Sequence, residues 1–355
     1  MKVRNIVSLV LVFSIVTCYL TSCGSSSNSS ESADSNTPVV LRMSGAFSDA
    51  ELESNPAGRA VAAFIEEVEE KTDGKYLIEF YGGELGSTTQ DYVGGLQNGA
   101  FEMVQLSQSN LGGYTKAFVP LNIPFLFPTA ECVFEFLRGE QASEMIRICE
   151  EDTNMRTLAF LPIGYRHLAN NKHPILTPDD CNGIKFRTMS DPYQVAMVEA
   201  FGGAAMTLSY NETFSALQQG VIDGQENPFM NLYTSKIYEV QKYLSTTGHQ
   251  YTITSIFIND DVFNTFPEDI QQIFVEAGRN AQEMAAELAE ESSEEARALM
   301  VEDGLEVVDL TLEQKEVFRE ACASVWETAK SDIGEDRYNA VMEECERIEA
   351  ELGVQ

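Results

Sequence analysis

Between residues 39 and 106, short extended runs alternate with helical periodicity, and this alternation narrows the fold more than any other feature of the chain. Residues 39–43 read as a strand. Residues 56–71 place Val61, Phe64, Ile65 and Val68 on one helical face, and Gly74 stands just past the end. Residues 76–81 form a second strand, 88–98 a second helix stopped at Gly99, and 101–106 a third strand. The order β-α-β-α-β builds a sheet with crossover helices. Ligands of such sheets sit beyond the carboxyl ends of the strands, here 44–47, 82–89 and 107–110.

The same rhythm returns later. A strand at 157–163 leads into Gly164-Tyr165-Arg166, after an apolar, proline-punctuated stretch at 120–127 and a helical stretch at 129–151. The short run Gly183-Ile184-Lys185-Phe186-Arg187 reads as a strand that carries Arg187 to a sheet end. Ser209-Tyr210-Asn211-Glu212 is a capping box, so a helix starts there with Tyr210 in its first turn. A helix near 232–240 and a strand at 251–258 follow. Pro267 opens a helical pattern with no glycine or proline between Gly278 and Gly304. Two readings of it stand: two helices broken near Gly278 or Ser292-Ser293, or one helix of about 50 Å laid across two domains. Thr311-Leu312-Glu313-Gln314 is another capping box and starts a C-terminal helix around Trp326.

Composition excludes some partners. The 355 residues carry a formal net charge of -33, and removing residues 1–22, which hold Lys2 and Arg4 and no acidic residue, moves it to -35. Such a surface repels nucleic acid and anionic lipid, and an anion site would need its own local basic groups. Residues 1–22 read as a targeting segment: a basic start, a short apolar run at 6–20, then Leu20-Thr21-Ser22-Cys23. That ending looks like a bacterial lipobox, with Cys23 as the lipid attachment site and residues 23–37 as a Ser-rich tether. Five further cysteines, Cys132, Cys149, Cys181, Cys322 and Cys345, are too many by one to pair fully and have no C-x-x-C spacing. They read as small core residues, with one disulfide left open. The chain carries no zinc-ligand spacing, Walker loop or G-x-S-x-G, and no metal or cofactor is expected.

Three segments in order carry a family resemblance: Gly164-Tyr165-Arg166 with Asn170-Asn171-Lys172-His173-Pro174-Ile175; Gly183-Ile184-Lys185-Phe186-Arg187; and Glu212, Ala216-Leu217-Gln218, Gly220 and Asp223-Gly224-Gln225-Glu226-Asn227-Pro228. Together they resemble the DctP-like solute-binding proteins of tripartite ATP-independent periplasmic (TRAP) transporters, over essentially the whole chain from Val39. The resemblance implies an α/β, two-lobed periplasmic-binding-protein-like fold. Mixed β-sheets would be flanked by helices and joined by a long domain-bridging helix. Lobe I would comprise 38–163 plus 253–292, and lobe II 164–252 plus 293–355. It implies a monomer outside the cytoplasm, held to the membrane only by its lipid. This monomer would capture a small carboxylate solute and deliver it to TRAP permease subunits.

The resemblance also assigns residues. Arg187 would grip the ligand's carboxylate, and its forked N–H donors suit that task where lysine would supply charge alone. Arg166 would face the same acid group or a nearby hydroxyl, with a structural salt bridge as the alternative. Asn227 suits a ligand hydroxyl or the far side of the carboxylate, against a simple Asn-Pro turn. Tyr210 would pack on the ligand and add a hydroxyl contact, or merely fill the core. Thr88, Thr89, Ser107, Ser109 and Phe47 are candidates on the opposite lobe. Some relatives place acidic residues where this chain has Thr88 and Ser107; the neutral hydroxyls neither attract an amine nor demand a particular polyol. Glu226 reads as a buttress for the basic pair, and Asp223-Gly224 as turn chemistry. Two rivals remain open. An extracytoplasmic enzyme could hold an acid at Arg187 and use Glu226 or His249 as base. A binding protein could instead feed a sensor.

Overall fold

The structure, a computed structural model, describes residues 37–354. The leader, Cys23 and the tether up to residue 36 lie outside the described residues. Among the described residues, eleven strands form two mixed sheets. They are β1 (Val39–Gly45), β2 (Tyr76–Gly82), β3 (Met103–Ser107), β4 (Met155–Tyr165), β5 (His167–Asn170), β6 (Lys185–Thr188), β7 (Ala204–Thr207), β8 (Gly224–Asn227), β9 (Tyr243–Ser245), β10 (Tyr251–Asn259) and β11 (Glu306–Val308). The first sheet has the order β2-β1-β3-β10-β4, the second β11-β9-β5-β8-β6-β7. As the alternation requires, β1 pairs in parallel with both β2 and β3. In the second sheet β6 lies parallel between β7 and β8.

The chain passes between the sheets three times: the long helical segment between β10 and β11 makes the last crossing, and the first two passages run side by side. Arg166 alone separates β4 from β5, while residues 246–250 return the chain from β9 to β10. The Arg166 amide donates to the Gln250 carbonyl at 2.8 Å, and Tyr251 is in register with Tyr165. Both passages are therefore tied by main-chain bonds at the point where the sheets meet.

The long helical pattern is one unbroken helix, Glu268–Glu302. It packs on β4, on the helix Pro56–Lys71, and on the helix Phe229–Thr234 that follows β8 of the second sheet. Its buried face carries Ala277, Ala281, Ala285 and Ala289 at four-residue spacing, which lets it lie close to its neighbours. Gly278 does not break it. A Cβ there would stand 2.2 Å from the Leu158 carbonyl oxygen, so the glycine is a contact point with β4.

Two helical expectations need correction. The stretch at 129–151 divides into Ala130–Phe136 and Glu140–Thr153; Gly139 is the N-cap of the second helix, and the Glu344 carboxylate, which accepts the Gln141 amide at 3.0 Å, leaves no room there for a Cβ. The pattern at 232–240 is the helix Phe229–Thr234 followed by a 3-10 turn at Ile237–Val240, interrupted by Lys236 in the left-handed region (φ 57°). All five cysteines among the described residues are buried free thiols. Burial pushes the thiols of Cys149, Cys181, Cys322 and Cys345 up to about 12, as inert core residues should be.

Candidate functional site

A cleft of about 270 Å³ opens between the carboxyl ends of the two sheets' strands. That is at the small end of small-molecule pockets, roughly 300–1,000 Å³. The sequence candidates Arg166, Arg187, Tyr210, Asn227, Thr88 and Ser107 all line it, as do Phe47 and Thr89. Ser109 does not; its hydroxyl is buried and bonds Asn122 Oδ1 at 2.7 Å.

Arg187 sits on β6, in register with Met206 on one side and Gln225 on the other. Only 3% of it is exposed. Its Nε donates to the Leu208 carbonyl at 2.9 Å, and its Nη1 is buried without a partner. Burial, reinforced by the nearby charge of Arg166, lowers its pKa from 12.5 to about 10. The guanidinium therefore lies in the cleft with no carboxylate bonded to it among the described residues.

Arg166 is in the opposite situation. Its Nε and Nη2 are held by both carboxylate oxygens of Glu226, Nη2 also reaches the Glu226 carbonyl, and Nη1 donates to Thr252 Oγ1 at 2.8 Å. The pair is almost wholly buried, at 1% and 0% side-chain exposure. Register explains it. Leu168 faces Glu226 across β5 and β8, so Arg166, two residues earlier, projects to the same side. Burial would raise the Glu226 carboxyl, yet Arg166 and the His249 bond hold it down at about 2. Glu226 is thus ionised and can only accept, so His249 Nε2 donates to it at 3.1 Å and Nδ1 accepts from the Thr247 hydroxyl at 2.8 Å. Burial lowers the His249 pKa, which keeps the ring neutral. Neither Glu226 nor His249 lines the cleft, so neither is placed to act as a base on a molecule bound there.

Tyr210 takes the first position of the helix Tyr210–Gln218, with the expected capping box beneath it. Its hydroxyl is already committed, donating to the Asn231 carbonyl at 3.0 Å, so the ring rather than the hydroxyl is what the cleft meets. Asn227 ends β8 and gives one amide hydrogen to Gln225 Oε1 at 2.6 Å. Gly224 is not a turn residue but the first of β8, where a Cβ would stand 2.5 Å from the Ala169 carbonyl oxygen.

On the facing wall, Thr88 caps the helix Thr89–Gln97 by accepting from the Asp91 amide at 3.2 Å. Ser107 donates to the Ile253 carbonyl at 3.2 Å. Two residues that sequence reasoning missed shape the site. Gln105 on β3 accepts from the Ala46 and Phe47 amides at 3.1 and 3.3 Å and holds that strand end in place. Asn231 lines the cleft from the helix Phe229–Thr234, and its Oδ1 is buried and unpartnered. The available signal was a polar residue inside an otherwise apolar run.

The chain and its fold are similar to those of known proteins. Residues 47–332 match the family described as bacterial extracellular solute-binding protein, family 7 (DctP). A protein from Sinorhizobium fredii is 33% identical over 79% of the chain, which spans 51% of that relative's length. The C4-dicarboxylate-binding periplasmic protein DctP of Rhodobacter capsulatus is 28% identical over 86% of this chain and 90% of its own. Among solved structures, the sugar acid binding protein DctPAm of Advenella mimigardefordensis, in complex with galactonate, superposes with a TM-score of 0.82. It is 26% identical, over 88% of this chain and 99% of that one.

Proposed function

The chain belongs to family 7 of the bacterial extracellular solute-binding proteins, and from that premise we propose that it captures a small organic acid or sugar acid outside the cytoplasm and delivers it to the membrane permease of a TRAP transporter. The observation that carries this reading is Arg187. A buried guanidinium with an unpartnered Nη1 facing a cleft is costly unless something supplies the missing counter-charge. A ligand carboxylate would do so with two charge-assisted bonds. Arg166, saturated by Glu226, would act as a neutralised neighbour that can spare at most one N–H for the ligand. Asn227 and the Tyr210 ring would frame the rest, with Thr88 and Ser107 meeting the solute from the other side.

On this reading the solute bridges two lobes, 38–163 plus 253–292 and 164–252 plus 293–355. Contacts with the first lobe form only on closure, so binding shifts the open–closed equilibrium. The paired passages at Arg166 and Gln250 are the natural hinge. The enzyme alternative loses its candidate bases, since Glu226 and His249 are buried away from the cleft. Attachment through Cys23 and a monomeric state complete the proposal. No helix among the described residues is long and apolar enough to cross a membrane.

The test is calorimetry on Arg187→Lys. Charge is kept and the fork is lost, so a bound acid should lose about 2–5 kcal/mol of affinity while the fold is retained. Affinity within threefold of wild type would overturn the assignment. Small-angle scattering adds a second readout: the radius of gyration should fall when ligand saturates the protein, and identical profiles would remove lobe closure.

A further inference from the structure

The family relatives include both a C4-dicarboxylate binder and a galactonate binder, so membership alone does not say which acid this cleft favours. The charges around it do. Among the described residues, Arg166 is the only cation besides Arg187 that lines the cleft, and both stand on the second-sheet side. Arg166 is already matched by Glu226. The facing wall offers Thr88, Ser107, Asn110 and Gln105, all neutral.

The helices Thr89–Gln97 and Tyr210–Gln218 are among those that begin at the cleft, and a helix N-terminus is ordinarily attractive to a carboxylate. Both are already occupied by carboxylates of this chain. Asp91 accepts from the amides of Ser87 and Thr88 at 3.2 and 3.0 Å. Glu212 accepts from the Ser209 amide at 3.2 Å and from its hydroxyl at 2.6 Å. These bonds, the Thr88 and Ser209 hydroxyls foremost, hold both acids below their usual range and so ionised. A second ligand carboxylate at either rim would meet a negative charge.

Asn231 supplies the complementary observation. It is 9% exposed, its carbonyl is pinned by the Tyr210 hydroxyl, and its side-chain Oδ1 has no partner. An amide presents a donor end and an acceptor end, and a hydroxyl matches either. A carboxylate can only accept. We propose that the cleft selects a hydroxylated monocarboxylate over a dicarboxylate of the same chain length, with Asn231 as the residue that reads a ligand hydroxyl. This inference rests on the proposed function, with Arg187 taking the single carboxylate.

Calorimetry on wild-type protein with matched acids tests it: 2,3,4-trihydroxybutyrate, succinate and butyrate at four carbons, and galactonate, adipate and hexanoate at six. At the length that binds better, the hydroxylated acid should exceed both the dicarboxylate and the plain acid by at least about tenfold, roughly 1.4 kcal/mol. Asn231→Leu should lower affinity for the hydroxylated acid about tenfold and leave the other two within about twofold, which separates lost recognition from a damaged fold. A dicarboxylate that binds as tightly as the hydroxylated acid, still dependent on Arg187, would overturn the inference and leave the proposed function standing. Unchanged affinity in Asn231→Leu would remove that residue's role. If none of the six acids binds, or all bind Arg187→Lys equally well, the proposed function falls and takes the inference with it.

Discussion

The second-sheet wall of the cleft is built around buried charge: Arg187 without a carboxylate, Arg166 locked to Glu226, and Asp191 at the start of the next helix with its Oδ2 unpartnered. The first-sheet wall does its work with hydroxyls and amides. Thr88 caps a helix, Ser107 bonds a main-chain carbonyl, and Gln105 bonds the amides at the end of β1. The difference shows that one wall is expensive to hold together and the other is not. Buried ions must be matched by specific partners, whereas neutral groups satisfy themselves on nearby backbone. It also places the site's buried arginines on one side only.

The sharpest way to break this contrast is Glu226→Gln. It leaves Arg166 buried and unmatched, and should cost about 3–5 kcal/mol in urea unfolding at neutral pH. Wild-type protein should show the acid counterpart. Glu226 is held at about 2 against an ordinary 4.5, so its contribution is fully present above pH 4.5 and is lost as pH falls toward 2. The variant's acid limb should be flatter. A cost below about 1 kcal/mol would mean that the pair does not hold the wall.

Asp191 tests the same wall with the opposite sign. Burial pushes its carboxyl from 3.8 up to about 7, so the folded chain holds that proton more tightly than the unfolded chain. The resulting stability is present below about pH 3.8 and is lost as pH rises through about 7. Asp191→Asn keeps the cap on the Tyr193 amide, removes that loss, and should stabilise the protein at pH 8 by about 1–3 kcal/mol. A variant no more stable than wild type at pH 8 would show that Asp191 is solvated.

The smallest effect belongs to the neutral wall. Thr88→Ala should cost about 1 kcal/mol in the ligand-free protein through the lost cap, with no dependence on pH between 5 and 8. Its effect on ligand affinity should be well below that of Arg187→Lys. If it were larger, the division of labour between the walls would be wrong.

Much of this was legible in the sequence where the signal was local. The capping boxes at Ser209 and Thr311 gave helix starts that the structure reproduces. The strand expected at Gly183 to Arg187 is there as β6, whereas Gly224, expected in a turn, opens the neighbouring strand β8. The restart at Gly139 was not foreseen, and the sequence could not show that the carboxylate of Glu344, on the helix Glu335–Leu352 far along the chain, accepts the Gln141 amide at 3.0 Å and leaves no room for a Cβ at residue 139. Asn231 was missed for a related reason. A polar residue in an apolar helix reads as an accident until the helix is seen to border a cleft.

The sequence by itself determined the strand–helix alternation of the first hundred residues, the run from 279 to 303 without glycine or proline that supplies most of the long helix, and the presence of two arginines near strand ends. Only the tertiary structure decided which arginine is free. Glu226 could have buttressed either one as far as sequence shows. The pairing of β5 with β8 sets Glu226 opposite Leu168 and therefore beside Arg166, at the passage between the sheets. Arg187, one strand further along on β6, is left with the Leu208 carbonyl alone. Charge pairing in a buried site depends on which groups share a face across strands, and that register is a property of the assembled sheet rather than of any segment.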